Sequence, residues 1–242
     1  MRYGFEEINK RMRRAIINHR LIEDERAILV GLSGGKDSLT LLYALKQFQR
    51  VSKYKFELAA GHVSLGFPGD DITPLKQFCE QIDLPLYVQT TAIGEIVFDL
   101  RQENNPCSLC AKMRRGALNE LAKDNGFEKV ALGHHQDDVV ETLLLNMFFE
   151  GRIGSFNPLT YLDRTEITVI RPLIYVPEAQ INYFARKEEF PVCQSNCPQN
   201  CLGKRQEIKD LLKEMDSISP KGKDKVTAAL DRQFNSRWDG RI

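Results

Sequence analysis

The feature that most constrains the fold is a glycine loop between an apolar run and a helical segment. The apolar run is Ala27–Leu32, the loop Ser33–Ser38 has the sequence Ser-Gly-Gly-Lys-Asp-Ser, and helical spacing continues from about Asp37 to Gln49. Paired glycines let successive backbone N–H groups point at one anion, and the following helix N-terminus adds partial positive charge. The residues Ser33–Ser38, here called the phosphate loop, are therefore predicted to bind phosphate.

The side chains of the phosphate loop suit the same ligand. Lys36 would neutralise phosphate, and the hydroxyls of Ser33 and Ser38 can donate to its oxygens. Asp37 would repel phosphate unless a cation lies between them, and Mg²⁺ is the expected cation. The loop differs from the kinase-type P-loop, which needs a glycine where this chain has Val30. The alternative is a simple Gly-Gly turn with a capping Asp.

The chain beyond this loop alternates between short apolar strands and helical segments. The strand predictions are Phe56–Leu65, Leu86–Gln89 and Lys129–Leu132; the helix predictions are Pro74–Gln81, the segment from Cys107 to Lys123, and Val139–Phe149; Val169–Ile174 and Pro177–Lys187 continue the mixed pattern. Buried strands bracketed by helices favour a parallel sheet covered on both faces, with ligands beyond the carboxyl ends of the strands. We predict a doubly wound α/β fold.

Composition sets limits on the partners and the domains. The formal net charge is +1 in 242 residues, so any RNA-binding surface must be local. One local candidate is the basic helical segment Lys10–Arg20, which is either a solvated face or an RNA contact. We expect a helical extension over 1–25, a main domain over 26–215 and a polar C-terminal tail over 216–242. Without an apolar stretch approaching ~20 residues, a soluble, cytoplasmic protein is expected.

A second acidic motif, Gly133–Thr142, follows a predicted strand and opens a helix. It contains His134, His135, Asp137, Asp138 and Glu141. Capping could explain Asp137 or Asp138, but two adjacent carboxylates beside histidines favour phosphate-bridged Mg²⁺ over a closed zinc site. We predict a functional role for this motif.

Five of the six cysteines fall in two tight groups, whereas Cys79 lies in an apolar helical segment and is expected in the core. The groups are Cys107 with Cys110, and Cys193 with Cys197 and Cys201. A Cys-x-x-Cys at a helix start favours thiolate. From the residues alone, a redox pair, a structural zinc site and an iron–sulfur cluster remain open.

These motifs together resemble a known family. The phosphate loop resembles that of the N-type ATP pyrophosphatases (the PP-loop superfamily, with an adenine-nucleotide alpha-hydrolase-like fold), and the acidic motif resembles that of its tRNA-modifying branch. Three further features resemble the tRNA 2-thiocytidine synthetases. They are Asn105–Cys110 with the basic residues after it, Arg171-Pro172-Leu173 with Glu178, and the helical extension before the first strand.

The resemblance implies an ATP site and a cluster. Pyrophosphate would bind Ser33, Gly34, Gly35, Lys36, Asp37 and Ser38, and adenosine would contact Val63, Ser64 and Leu65. Gly133 and Asp137 would complete the ATP site. Lys36, Asp37 and Asp137 would be catalytic, and Asp37 and Asp137 would also hold Mg²⁺. Cys107 and Cys110 would hold a [4Fe–4S] cluster. Cys197, which precedes Pro198, is the predicted third ligand, and Cys193 is the runner-up.

The implied activity is adenylation of a tRNA pyrimidine, cytidine 32 in the family, followed by replacement of its carbonyl oxygen with sulfur. Contacts with tRNA are predicted for Lys10, Arg11, Arg13 and Arg14. The implied partners are tRNA, sulfide or a cysteine desulfurase-type sulfur donor, and a second copy in a homodimer. The alternatives are a 2-thiouridine synthetase or lysidine-type ligase with a structural zinc site, and an ATP-sensing RNA-binding protein.

Overall fold

The computed structural model of the chain describes residues 4–23, 26–101, 106–193 and 204–235. Its strands are β1 (Arg26–Gly31), β2 (Phe56–Ser64), β3 (Leu86–Thr90), β4 (Lys129–Ala131), β5 (Leu159–Leu162) and β6 (Ile167–Ile170). Its helices are α1 (Phe5–His19), α2 (Lys36–Val51), α3 (Thr73–Gln81), α4 (Ile93–Glu95, continued as a π-helical segment over Ile96–Leu100), α5 (Pro106–Asp124), α6 (Gln136–Glu150), α7 (Glu178–Lys187), α8 (Lys204–Ile218) and α9 (Gly222–Asn235).

The six strands form one sheet in the order β3-β2-β1-β4-β6-β5. All neighbouring pairs are parallel except β5, which runs antiparallel to β6. Strand β1 is central, with Val30 paired to Ala60 of β2 on one side and to Ala131 of β4 on the other. The chain order reverses between β1 and β4, and such a reversal opens a crevice at the carboxyl ends of the strands.

Helices cover both faces of the sheet, as a doubly wound fold requires. Alternate residues of β1 enter different cores: Ile28 and Val30 pack in the cluster beneath α2 and α7, whereas Leu29 packs beneath α5 with Val130 and Leu118. The predicted fold class is confirmed. The antiparallel edge strand β5 was not predicted.

Helix α1 is part of this core. Ile8, Met12, Ala15 and Ile16 are buried at helical spacing and belong to the larger hydrophobic cluster. The expected N-terminal helix is therefore present and is packed against the domain. Cys79 is also buried in this cluster, which confirms its predicted core position.

The C-terminal region differs from the expected polar tail. Helix α9 lies within the segment 216–242, and its Leu230 and Thr227 are buried. Leu230 joins the same hydrophobic cluster as α1. The domain boundaries themselves stay a prediction. Within the described ranges, every helix is too short or too polar to cross a bilayer.

Candidate active site

The phosphate loop connects the end of β1 to the start of α2, at the crevice beside β4. Gly34 has φ +84°, a left-handed conformation that glycine adopts without strain. The Ser38 hydroxyl donates to the Gly35 carbonyl (2.9 Å) and accepts from the Ser33 N–H (3.1 Å). These bonds stabilise the loop from within.

Lys36 lies in the first turn of α2 between two carboxylates. Its Nζ is 3.0 Å from Asp37 Oδ1 and 3.0 Å from Glu178 Oε1, at the start of α7. Burial lowers the pKa of Lys36, but the charges of Asp37 and Glu178 and their hydrogen bonds outweigh it, so the net shift is upward. Lys36 therefore stays cationic and is held in one place by residues from two helices.

The acidic motif begins where β4 ends and meets the phosphate loop directly. A Cβ on Gly133 would lie 3.0 Å from the Asp37 carbonyl oxygen, which is tighter than most Cβ contacts in proteins. The N-cap of α6 is His135 rather than Asp137 or Asp138. Its Nδ1 accepts from the Asp138 N–H (3.4 Å), and Asp138 Oδ2 accepts from the His135 N–H (3.0 Å). Asp138 thus takes part in the capping box from the N3 position, whereas Asp137 has no capping role in α6.

Asp137 joins the acidic motif to two other helices. Its Oδ2 accepts from the Glu178 N–H (2.7 Å), and its Oδ1 lies 2.9 Å from Lys223 Nζ of α9. Burial raises the pKa of Asp137, but the Glu178 N–H and Lys223 outweigh it and lower the pKa overall. His135 lies between Asp137 and Asp37, with ring nitrogens 3.9 and 3.8 Å from their carboxylates.

Asp138 and Glu141 are bridged by a cation that was not among the predicted site residues. Arg205 of α8 donates to Asp138 Oδ1 and to Glu141 Oε2, each at 2.7 Å. The Glu141 side chain is 3% exposed, and the pairing with Arg205 offsets the cost of burying its carboxylate. The sequence signal for Arg205 is the dipeptide Arg205-Gln206, which resembles an Arg-Gln near the last helix of the family.

A cleft of about 610 Å³ brings six of the predicted ATP residues and the first cysteine pair together. It is lined by Ser33, Asp37, Ser38, Val63, Leu65, Cys107, Cys110, Gly133 and Asp138, and by four arginines, Arg114, Arg115, Arg171 and Arg205. Cys107 and Cys110 are half-buried on the first turn of α5, and residues three apart share one helix face. The arginines give the cleft the positive charge that phosphates require.

Cys193 lies beside the phosphate loop on a neighbouring cavity of about 290 Å³. Its N–H donates to the Gly34 carbonyl (3.0 Å). The cavity shares Ser33 and Arg114 with the main cleft. Burial and the charge of Asp71 raise the pKa of the Cys193 thiol.

Ser64 and the basic residues of α1 lie outside the cleft lining. The Ser64 carbonyl accepts from the Thr91 N–H (3.1 Å) and hydroxyl (2.7 Å), at the end of β2 and outside the cleft lining. Arg11 donates to the Tyr175 carbonyl (2.9 Å) and to Asp224 (3.2 Å), whereas Lys10, Arg13 and Arg14 are exposed on α1. Cys197 and Cys201 fall outside the described residues.

The donor chemistry of the site fits the implied cofactors in part. Cys107 and Cys110 offer two thiols to a cluster. Across the described ranges, no three or more His, Cys, Asp or Glu side chains are grouped so that they could hold a metal ion. Asp37 faces the cleft, and Asp137, although doubly bonded, keeps acceptor capacity because a carboxylate has about four lone-pair sites. Both residues offer the carboxylate oxygens that Mg²⁺ prefers.

The fold and the two adjoining loops define a nucleotide-binding α/β domain with its phosphate site where the strand order reverses. A family model described as a PP-loop domain matches residues 5–212, and the chain belongs to this family. Helix α9 lies beyond the matched residues.

Curated relatives and a solved structure resemble almost the whole chain. Proteins named tRNA-cytidine(32) 2-sulfurtransferase from Geobacter metallireducens and Bdellovibrio bacteriovorus are each 38% identical, covering 93% and 88% of this chain and 89% and 83% of theirs. The U34-tRNA thiolase NcsA from Methanococcus maripaludis, solved with its [4Fe–4S] cluster, matches with a TM-score of 0.79 at 25% identity, covering 98% of this chain and 80% of that one.

Proposed function

We propose that this protein is an ATP-dependent tRNA sulfurtransferase that converts cytidine 32 of tRNA to 2-thiocytidine. The observation that carries the proposal is the shared cleft, because Cys107 and Cys110 open onto the same space as the phosphate loop. An adenylated nucleotide bound at the loop would thus face the sulfur chemistry without leaving the site. The names of the curated relatives support the choice of cytidine 32.

The first step is transfer of AMP to the pyrimidine carbonyl oxygen. The oxygen attacks the α-phosphorus, the bond to the β-phosphate breaks, and pyrophosphate departs into the phosphate loop. Lys36 and the loop N–H groups stabilise the charge that develops on pyrophosphate, because they are fixed before the reaction begins. Asp37 and Asp137 would hold Mg²⁺, which neutralises phosphate charge when bound.

In the second step a sulfide attacks the activated carbon, the bond from that carbon to the adenylated oxygen breaks, and AMP leaves with the oxygen. Cys107, Cys110 and Cys197 would hold a [4Fe–4S] cluster, which would bind this sulfide. Arg114 and Arg115 lie on the same helix as the cysteines and would hold the phosphate of the departing AMP. We further propose a cytoplasmic homodimer that receives sulfur as sulfide or from a cysteine desulfurase-type donor.

The direct test is nucleoside mass spectrometry of tRNA from a deletion strain, complemented with wild-type protein or with Lys36→Ala. Loss of 2-thiocytidine, restored by wild type but not by Lys36→Ala, is expected. An unchanged 2-thiocytidine level with loss of 2-thiouridine or lysidine would move the function to another branch of the family.

Purified protein separates the remaining alternatives. Wild-type protein should transfer ³⁵S to tRNA with release of AMP and pyrophosphate, and it should contain iron. Lys36→Ala and Asp37→Ala should abolish AMP release while iron content and fold stay intact, because both residues act on phosphate. Zinc in place of iron would favour a ligase, and ATP binding without AMP release would favour a sensor.

A further inference from the structure

We infer that Lys223, in a helix beyond the matched PP-loop residues, positions the phosphate loop through Asp137. Lys223 lies in the first turn of α9, and its Nζ is 2.9 Å from Asp137 Oδ1 and 3.0 Å from Asp216 Oδ2. The inference rests on one part of the proposed function, which is that the phosphate loop binds ATP.

Lys223 is connected to Lys36 through Asp137 and Glu178. The second oxygen of Asp137 accepts from the Glu178 N–H at 2.7 Å, and Glu178 Oε1 lies 3.0 Å from Lys36 Nζ. Asp137 therefore fixes the first turn of α7, and that turn holds the lysine that faces phosphate. Lys223 acts at the far end of this chain of contacts, so it is a positioning residue rather than a catalytic one.

Burial makes Asp137 dependent on Lys223. The Asp137 side chain is 12% exposed, and a buried carboxylate that loses its cation must turn toward water or another donor. Rotation of the Asp137 side chain toward solvent would weaken the bond from the Glu178 N–H and displace the partner of Lys36.

Helix α9 is anchored independently of Lys223. Asp224 accepts from Gln136 Nε2 (2.9 Å) and from Arg11 Nη1 (3.2 Å), and Leu230 is buried in the main core. His19 adds a contact at 3.5 Å from Asp231. Removing the Lys223 charge should therefore leave α9 folded in place, so a point variant isolates the contact with Asp137.

The test is calorimetric titration of the full chain with α,β-methylene-ATP and Mg²⁺, because this analogue cannot be cleaved. Lys223→Met keeps the length of the side chain and removes its charge, and it should raise Kd about tenfold with the stoichiometry unchanged. Lys223→Arg should stay within about threefold of wild type. Lys225→Met, at an exposed position of the same helix, is the matched control and should bind as wild type does.

A second experiment tests the route through Glu178. If Lys223 acts through Asp137 and Glu178, the double variant Lys223→Met/Glu178→Gln should bind no more weakly than the weaker single variant. Additive losses, an unchanged Kd in Lys223→Met, or a lower stoichiometry at unchanged Kd would each overturn the inference. Tighter binding in Lys223→Met would also overturn it, since Lys223 would then be competing with the cation for Asp137.

These outcomes are separate from the fate of the proposed function. A wild-type protein that binds the analogue but forms no thiolated tRNA would refute sulfur transfer and leave the Lys223 comparison readable. If Lys223→Met does not fold, Lys223→Gln supplies the same test, because it also removes the charge that faces Asp137, and its Kd should rise likewise.

Discussion

The backbone N–H of Cys193 donates to the carbonyl of Gly34 at 3.0 Å. This bond places the start of the second cysteine group against the phosphate loop. A Cβ on residue 34 would lie 3.1 Å from Cys193 Cβ, so the contact also depends on the absence of a side chain there. The loop and Cys193 are therefore packed as one unit.

Gly34→Ala should damage this unit in two ways. A non-glycine residue at φ +84° costs about 1–2 kcal/mol, and the new methyl group would press on Cys193. We expect a lower free energy of unfolding in urea and weaker binding of α,β-methylene-ATP. Gly116→Ala, in the middle of α5 with open space around it, should instead stabilise the protein by roughly 0.5–1 kcal/mol. Equal stability of the two variants would contradict the argument.

The exposed basic residues of α1 should contribute to the salt dependence of tRNA binding. Each phosphate contact contributes about −0.7 to −0.9 to the log–log slope. Replacing Lys10, Arg13 and Arg14 by Gln should flatten the slope by up to about three such contributions. Arg11→Gln should lower the melting temperature and leave the slope nearly unchanged, since Arg11 is bonded to Tyr175 and Asp224. An unchanged slope in the triple variant would make α1 a solvated surface.

Cys197 is predicted to be the third cluster ligand. After anaerobic reconstitution, Cys197→Ala should lose iron and visible absorption as fully as Cys107→Ala, whereas Cys201→Ala should keep both. Full iron content in Cys197→Ala would move the assignment to Cys193, which lies beside the loop at Ser33 and Arg114.

The protein should become less stable as the pH is lowered, because His134 is buried and neutral. Burial, reinforced by Arg171, lowers the pKa of His134 to about 4, below its ordinary value near 6.5. The unfolded chain then binds more protons than the native one between those values, so the free energy of unfolding decreases as pH falls from about 6.5 to about 4.

Urea unfolding at several pH values checks this expectation. His134→Gln should show a weaker pH dependence than wild type across that window. Some dependence should remain, because burial also lowers the pKa of His62. A His134→Gln protein with the wild-type pH dependence would mean that His134 is not the titrating group.

The sheet could be predicted from the sequence because its central strands are continuous apolar runs between helical segments. Strand β1 was expected at Ala27–Leu32 and occupies Arg26–Gly31. Strand β5 could not be predicted in the same way. It has four residues, alternates between exposed and half-buried, and pairs on one side only, so its sequence resembles a surface loop.

The site was predictable where the chemistry is local and not where it depends on distant contacts. The phosphate loop and Cys107 with Cys110 are short motifs whose residue types indicate their ligands. The contact of Lys36 with Glu178 spans 142 positions. No periodicity or spacing encodes such a pairing, and Lys223 lay in a segment whose lysine-rich composition predicted only a solvated tail.

The bond between Asp224 of α9 and Gln136 of α6 joins the C-terminal helix to the helix that begins in the acidic motif. Coupling free energies are reciprocal: if α9 strengthens nucleotide binding, bound nucleotide must strengthen the docking of α9 by the same amount. Amide hydrogens of α9 should therefore exchange more slowly when α,β-methylene-ATP is present. The local opening of this helix would then report occupancy of a site that its backbone does not touch.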